Sequence, residues 1–228
     1  MFNQKIKLTL SKMKTIFQIV LWIVCIFLGY MIYKSVTGPI EFDKIKKERF
    51  AEVIDRLKDI RNAQEAFKTV NGRYANDFNA LVSFVDTANY TITQQRDSSY
   101  MEYDRVYQID MLKEVTIIDT LGFVAVKDSL FKNSDRYKQM MNVPYAANNE
   151  KFTMKADIVE KGGYKAPVFE VKVPKSVVLQ DQPKDLLARE NAQVSVEEVN
   201  GTEIKVGSLT EVSTSGNWPP IYDKKGDQ

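Results

Sequence analysis

The sequence predicts an α+β chain with an N-terminal transmembrane helix, an amphipathic helical stem, and then an antiparallel β-rich domain with short helices. Three observations carry that expectation. Residues 15–33, TIFQIVLWIVCIFLGYMIY, are nineteen residues long and hold no charge. At about 1.5 Å per residue a helix of that length matches a hydrocarbon core of about 30 Å. Residues 42–67 set apolar side chains at three- and four-residue steps among charged ones, the period of a one-sided helix. Farther on, short β-branched and aromatic runs alternate with Gly-containing turns, which is the pattern of antiparallel strands.

Residues 1–14 form a basic segment with Lys5, Lys7, Lys12 and Lys14 and no acid. Under the positive-inside rule this places the N-terminus in the cytoplasm, and a long C-terminal domain crosses largely regardless of its own charge. The apolar run exceeds a signal-peptide core and no A-x-A-like site follows it, so an uncleaved anchor is expected. Trp22 lies mid-span, Tyr30 and Tyr33 stand where an aromatic belt belongs, and Cys25 reads as a small hydrophobe. In a Gram-negative cell the chain is then a single-pass inner-membrane protein with a periplasmic domain.

Residues 34–86 are expected to hold a connector, the stem and a short helix. Gly38-Pro39 marks a break after the spanning helix. In the stem, Phe50, Val53, Leu57, Ile60, Gln64 and Phe67 line one face. That stripe suits either a coiled-coil seam or packing on the chain's own sheet. It covers fewer than three to four heptads and Gln64 interrupts it, so packing within the chain is the expectation. Asn71-Gly72 supplies a left-handed stop, and Phe78, Leu81, Val82 and Val85 follow at helical spacing with Asn76 or Asp77 as cap.

Residues 87–212 read as the β-rich domain. Strands are expected at 106–110, 115–119 and 123–127, with Thr120-Leu121-Gly122 as a turn, and a short helix at 134–141. Residues 152–160 alternate and lead through Lys161-Gly162-Gly163-Tyr164 into Phe169, Val171 and Val173, a hairpin pattern. A second hairpin is expected from 194–199 through Asn200-Gly201 to 203–206. Residues 213–228 read as a flexible tail, except that Trp218-Pro219-Pro220-Ile221-Tyr222 should dock on the domain or reach a partner.

Composition narrows the chemistry. There is no His and one Cys among 228 residues, which excludes imidazole catalysis, His-containing zinc sites, an internal disulfide and a thiolate cluster. No phosphate-binding glycine loop or calcium-loop acid ladder occurs. Asp104 with Asp110, and Asp181 with Asp185, are chance neighbours among 30 acids. The net charge of +2 includes the four N-terminal lysines, leaving 28 basic against 30 acidic residues beyond them. That balance makes a poor nucleic-acid binder. The one local basic run, Lys44, Lys46, Lys47 and Arg49, is interleaved with Glu41, Asp43 and Glu48 and reads as a solvated helix face.

IRNAQEAFKTVNGRYANDFNALVSFV, residues 60–85, resembles the end of the long N-terminal helix of pseudopilins and type IV pilin-like proteins. The resemblance is carried by Ala63, Ala66, Phe67, Asn71, Gly72, Arg73, Tyr74 and Leu81. It covers about 26 residues and implies an inner-membrane anchor whose sheet domain packs on the helix within a secretion or pilus machine. The order of elements also resembles the single-pass platform proteins of those systems. More loosely, the whole chain is similar to envelope proteins of Bacteroidota.

The expected function is therefore a structural or scaffolding subunit of an envelope-spanning assembly, anchored in the membrane and bound to other envelope proteins, with no enzyme activity, cofactor or metal. Its expected interaction residues are Phe50, Val53, Leu57, Ile60 and Phe67 of the stripe, Asn71, Gly72 and Tyr74 of the turn, and Trp218 and Tyr222 of the tail. The alternative is a peptide- or ligand-binding domain of sensor or chaperone type, and a third reading is a hydrolase working through acids alone.

Overall fold

The computed structural model describes residues 2–132 and 134–223, with side chains from Ile16 onward. Lys5, Lys7, Lys12 and Lys14 of the basic segment, as side chains, and the last five residues of the 213–228 tail lie outside the described residues. The fold is a long helix laid against a mixed helical and antiparallel β domain.

One helix, α1, runs from Phe2 to Asn71, 70 residues without interruption. At helical rise this is about 105 Å. The expected connector at 34–38 and the break at Gly38-Pro39 are corrected, since both lie inside α1. Two local features let proline stay. Gly38 has no Cβ to collide with the proline ring, the contact that normally disfavours helix before proline. The Thr37 hydroxyl also donates to the Tyr33 carbonyl one turn back. Among the described residues α1 is the one helix long and apolar enough to cross a membrane. Its side chains from Ile16 to Val36 are exposed. About 14 Å of unbroken helix separates Tyr33 from Phe42, where burial against the domain begins.

From Phe42 onward α1 is the spine of the core. Phe50, Val53, Ile54, Leu57, Ile60 and Ala63 are fully buried within the chain. Gln64, read from sequence as an interruption of the stripe, is equally buried. Its amide donates to the Ala75 carbonyl and accepts from the Ala75 N–H, both at 2.9 Å. A two-way amide clamp of this kind satisfies backbone groups that burial would otherwise leave unpaired. It ties the turn after α1 back onto the stem.

The Gly72 N–H closes α1 on the Lys68 carbonyl at 2.7 Å. Helix α2, Phe78–Thr87, is capped by Asp77, whose carboxylate accepts from the Asn79 N–H. It buries Phe78, Leu81, Phe84 and Val85, and Phe84 meets Phe67 edge to face at 4.9 Å.

Strands β1, Asn89–Asp104, and β2, Ile109–Ala125, form a two-stranded antiparallel hairpin. Residues 106–108, expected to open a strand, form its tip instead. There the Asp104 carboxylate accepts from the Val106 and Tyr107 N–H groups, and such a local side-chain bond competes with strand pairing. The expected turn at Thr120-Leu121-Gly122 lies within β2. Register shifts by one residue there, so Leu121 is the extra residue of a β-bulge opposite Ile92 and Thr93. A glycine in a β pattern marks a bulge as readily as a turn.

The short helix α3, Val126–Phe131, and a 3-10 turn at Asp135–Gln139 complete the helical side, where Tyr137 is fully buried with its hydroxyl 2.5 Å from Asp86. A second sheet then forms from β3, Thr153–Lys161, β4, Tyr164–Pro174, and β5, Glu203–Gly207, in the order β3-β4-β5, antiparallel throughout. The β3–β4 hairpin turns on Gly162 and Gly163, both at positive φ, as a two-residue type I′ loop requires. Between β4 and β5 lie α4, Lys175–Val178, and α5, Lys184–Ala192, neither of which the sequence pattern announced.

The expected hairpin at 194–206 is half corrected. Residues 203–207 are a strand, but 194–199 are not, and Val194 and Val196 are 89% exposed. The C-terminal segment occupies the edge they would have taken. Gly207 N–H donates to the Ser215 carbonyl, Asn217 N–H to the Lys205 carbonyl, and Lys205 N–H to the Asn217 side chain. The tail is accordingly docked as far as Asp223. Trp218 is 8% exposed, and a Cβ on Gly216 would lie 2.3 Å from its ring, so only glycine allows the indole to fold over.

Candidate interaction surface

The ten residues singled out from sequence separate into three places. Phe50, Val53, Leu57 and Ile60 have no surface left for a partner, because the chain's own sheet and short helices cover them. Phe67 is partly buried against the same core. Asn71 and Gly72 are exposed, whereas Tyr74 is buried with its ring 4.6 Å from Phe169 and the Lys68 ammonium 5.1 Å over its face. Trp218 packs inward, its indole N–H donating to Asp223, and Tyr222 stands half-buried at the rim.

A buried ionic cluster joins the start of the stem to α5 and the following loop. The Lys46 ammonium lies 2.9 Å from Asp43 and 3.0 Å from both Glu190 and Glu198. The other Glu190 oxygen takes Lys175 at 2.8 Å, and Lys175 also donates to the Val199 carbonyl. Side chains of Lys46, Lys175 and Glu190 are at most 3% exposed. Burial pulls the Lys46 ammonium down, but hydrogen bonds to Asp43, Glu198 and Glu190 outweigh it and hold the group above its usual value. Every charge in the cluster has an opposite partner, so it ties the stem to α5 and the following loop.

Beside it a groove of about 640 Å³ is lined by Lys47, Val196, Glu198, Pro219, Ile221 and Tyr222. Burial pushes the Tyr222 phenol up to about 12. Of the polar groups on its walls, Lys47 pairs with Asp43 and Glu198 with Lys46, while Glu197 and the Tyr222 phenol also face it. Among the described residues no group of three or more metal-ligating side chains comes together.

Arg49 makes a second tie. Its guanidinium forks onto Asp181 at 2.5 and 2.8 Å and reaches the Val178 carbonyl. Hydrogen bonds from Arg49 hold the Asp181 carboxyl down to about 2 against an ordinary 3.8. A depressed folded-state value stabilises above the unfolded value and is lost as pH falls toward the folded one. The melting-temperature gap between wild type and Asp181→Asn is therefore expected to be constant above about pH 5 and to close between about pH 4 and 2. Because Asp181 is 54% exposed, the gap will be small and will shrink with salt.

Besides the exposed span of α1, the β1–β2 arm is a large surface without a partner among the described residues. No residue between 91 and 125 belongs to the buried core, and the arm contacts the rest of the protein chiefly at its base through α3. Sixteen paired residues at about 3.4 Å each carry it some 50 Å outward. Among the described residues neither outer edge has a third strand. Tyr100, Met101, Tyr103, Leu112, Ile118 and Phe123 are 46–70% exposed along it. An isolated two-stranded ribbon is marginal in water, and long exposed apolar edges are normally avoided or covered. The signal was present in the sequence as β-favouring residues without a clean in-out alternation, which is what a ribbon wet on both faces shows.

Compared with protein-family models, curated proteins and solved structures, the chain has no significant match in any of the three.

Proposed function

We propose that the protein is a membrane-anchored structural subunit that holds partners within an envelope-spanning assembly of the secretion or pilus-like kind. Its N-terminus lies in the cytoplasm of an inner membrane, and its folded part is periplasmic. The observation that carries this reading is the arm, a ribbon that leaves the domain with both edges and both faces open. The unbroken α1 supports it, since a helix shared between anchor and core holds the domain at a set distance from the bilayer. The ionic cluster, in which every charge already has an opposite partner, gives the ligand-binding reading less support.

The test is purification of the full-length protein from its own membranes in mild detergent, beside a variant in which residues 91–123 are replaced by Asn-Gly. Tyr90 and Val124, the paired residues that would flank it, lie within reach of such a two-residue loop. The full-length protein is expected to bring other envelope proteins with it, and the shortened one to lose them at unchanged melting temperature. A full-length protein that comes without companions overturns the reading.

A further inference from the structure

We infer that the free edge of β2 pairs antiparallel with the same edge of a second copy, about a two-fold axis at Thr116, to make a four-stranded sheet. The inference rests on the arm being an interaction surface, and it names the arm's occupant.

Edge choice comes first. The open edge of β1 runs Gln94, Gln95, Arg96, Asp97, Ser98 and Ser99, mostly polar residues with low strand preference, whereas β2 carries Val115, Thr116, Ile117 and Ile118 in succession. The β-branched run is the stickier template.

Register follows from symmetry. A two-fold axis that makes two identical strands antiparallel in one sheet stands perpendicular to it and keeps each face on its own side. Opposed residues share a face, and faces alternate with period two, so the numbers of any opposed pair must sum to an even value. Lys113 is the one cation of β2, and its acids are Asp110, Glu114 and Asp119. Lys113 cannot stand opposite Asp110 or Glu114, because those sums are odd. It can stand opposite Asp119, and that pairing puts Thr116 on the axis. Val115 then meets Ile117, Glu114 meets Ile118 and Leu112 meets Thr120, with no like charges opposed. The paired stretch ends where the bulge at Leu121 begins.

Charges already in place extend the match. On one face of the arm Lys113 bonds Glu102 at 2.6 Å, and on the same face Asp119 bonds Arg96 at 3.2 Å. Pairing at Thr116 lines up Glu102, Lys113, Asp119 of the second copy and Arg96 of the second copy across four strands. Signs alternate along the row, and the two-fold repeats it. Between the two rows sit Val115 and Ile117 of both copies.

The test is charge exchange in the full-length protein in detergent, with self-association read by analytical ultracentrifugation. K113D alone opposes two acids and D119K alone opposes two lysines, so each is expected to weaken self-association by about tenfold or more. Mixing the two variants restores an opposite pair at both positions and is expected to recover it. A second readout uses C25S/T116C, in which opposed Cα atoms about 5 Å apart lie within disulfide reach. Mild oxidation should link it into a dimer, while C25S/D97C, on the other strand, should stay monomeric. Wild type that does not self-associate, self-association indifferent to K113D and D119K, or absence of the T116C link each overturns the inference. If other envelope proteins still depend on residues 91–123, the functional reading survives that failure. If the protein self-pairs at Thr116 but comes with no other protein, the functional reading falls and the inference stands.

Discussion

Glu190→Ala is expected to destabilise the protein by about 3–5 kcal/mol, the cost of breaking a buried ion pair from one side. Glu190 is the shared acceptor for two ammonium groups, Lys46 at 3.0 Å and Lys175 at 2.8 Å. Its removal leaves Lys175, with a fully buried side chain, facing only backbone carbonyl oxygen. Lys46 keeps Asp43 and Glu198, which are more exposed. Urea unfolding of the detergent-solubilised chain, followed by the fluorescence of Trp218, reads the loss. Lys47→Ala is the control, because the Lys47–Asp43 pair is exposed and screened by water, so little loss is expected. An equal loss in both variants would mean that the cluster is not closed to water. The sign of the pH effect also follows. Lys46 is held above its unfolded value of 10.5, so its stabilisation is complete below about pH 10 and is lost only as pH rises through the folded value. Between pH 6 and 9 the Lys46 contribution should not change.

Phe50→Ala is expected to cost about 3–5 kcal/mol for a fully buried aromatic, with little relaxation possible on a helix packed by the sheet. Phe50 is 0% exposed, and the Lys175 ammonium lies 5.8 Å from its ring centre, so the substitution removes core packing and one wall of the ionic cluster together. Net stability of a domain is about 5–15 kcal/mol, so the loss takes a large share of it. The measurement is the same urea titration, and the decisive contrast is with partner capture. A variant that keeps wild-type stability but loses companions would return the stripe to the status of an interface.

That contrast shows where local pattern stops being informative. The stripe through Phe50, Val53, Leu57 and Ile60 was legible because helical periodicity survives in any packing, but the same spacing serves a coiled coil and a core. Deciding between them takes β5 and α3, far away in sequence, and α2, just beyond the end of α1, which together cover the face. Gln64 shows the reverse error. A polar residue in an apolar stripe looks like an interruption, and only the approach of Ala75 makes it a satisfied clamp.

Strand assignments failed for a related reason. Residues 106–108, ahead of the part of that run that does pair, and 194–199 have strand-like composition, yet a strand exists only when an edge is free to pair with it. The Asp104 carboxylate captured the first as a tip, and the C-terminal segment had taken the β5 edge from the second. The hairpin through Lys161-Gly162-Gly163-Tyr164 was legible because its turn sets register between two runs that were both free to pair, which the Asn200-Gly201 turn did not have.

Short-range chemistry was enough for the apolar run of residues 15–33, the Gly72 stop, the Asp77 cap and the β3–β4 hairpin, since each depends on neighbours a few residues apart. Tertiary structure decided the Lys46–Glu190–Lys175 tie and the release of β1–β2 from the core, whereas the passage of α1 through Pro39 rests on its neighbours Thr37 and Gly38. The physical reason is common to both. Burial, ion pairing and edge occupancy depend on groups from 15 to 144 residues apart, and residue spacing along a chain carries no record of which of those groups arrive first at the same place.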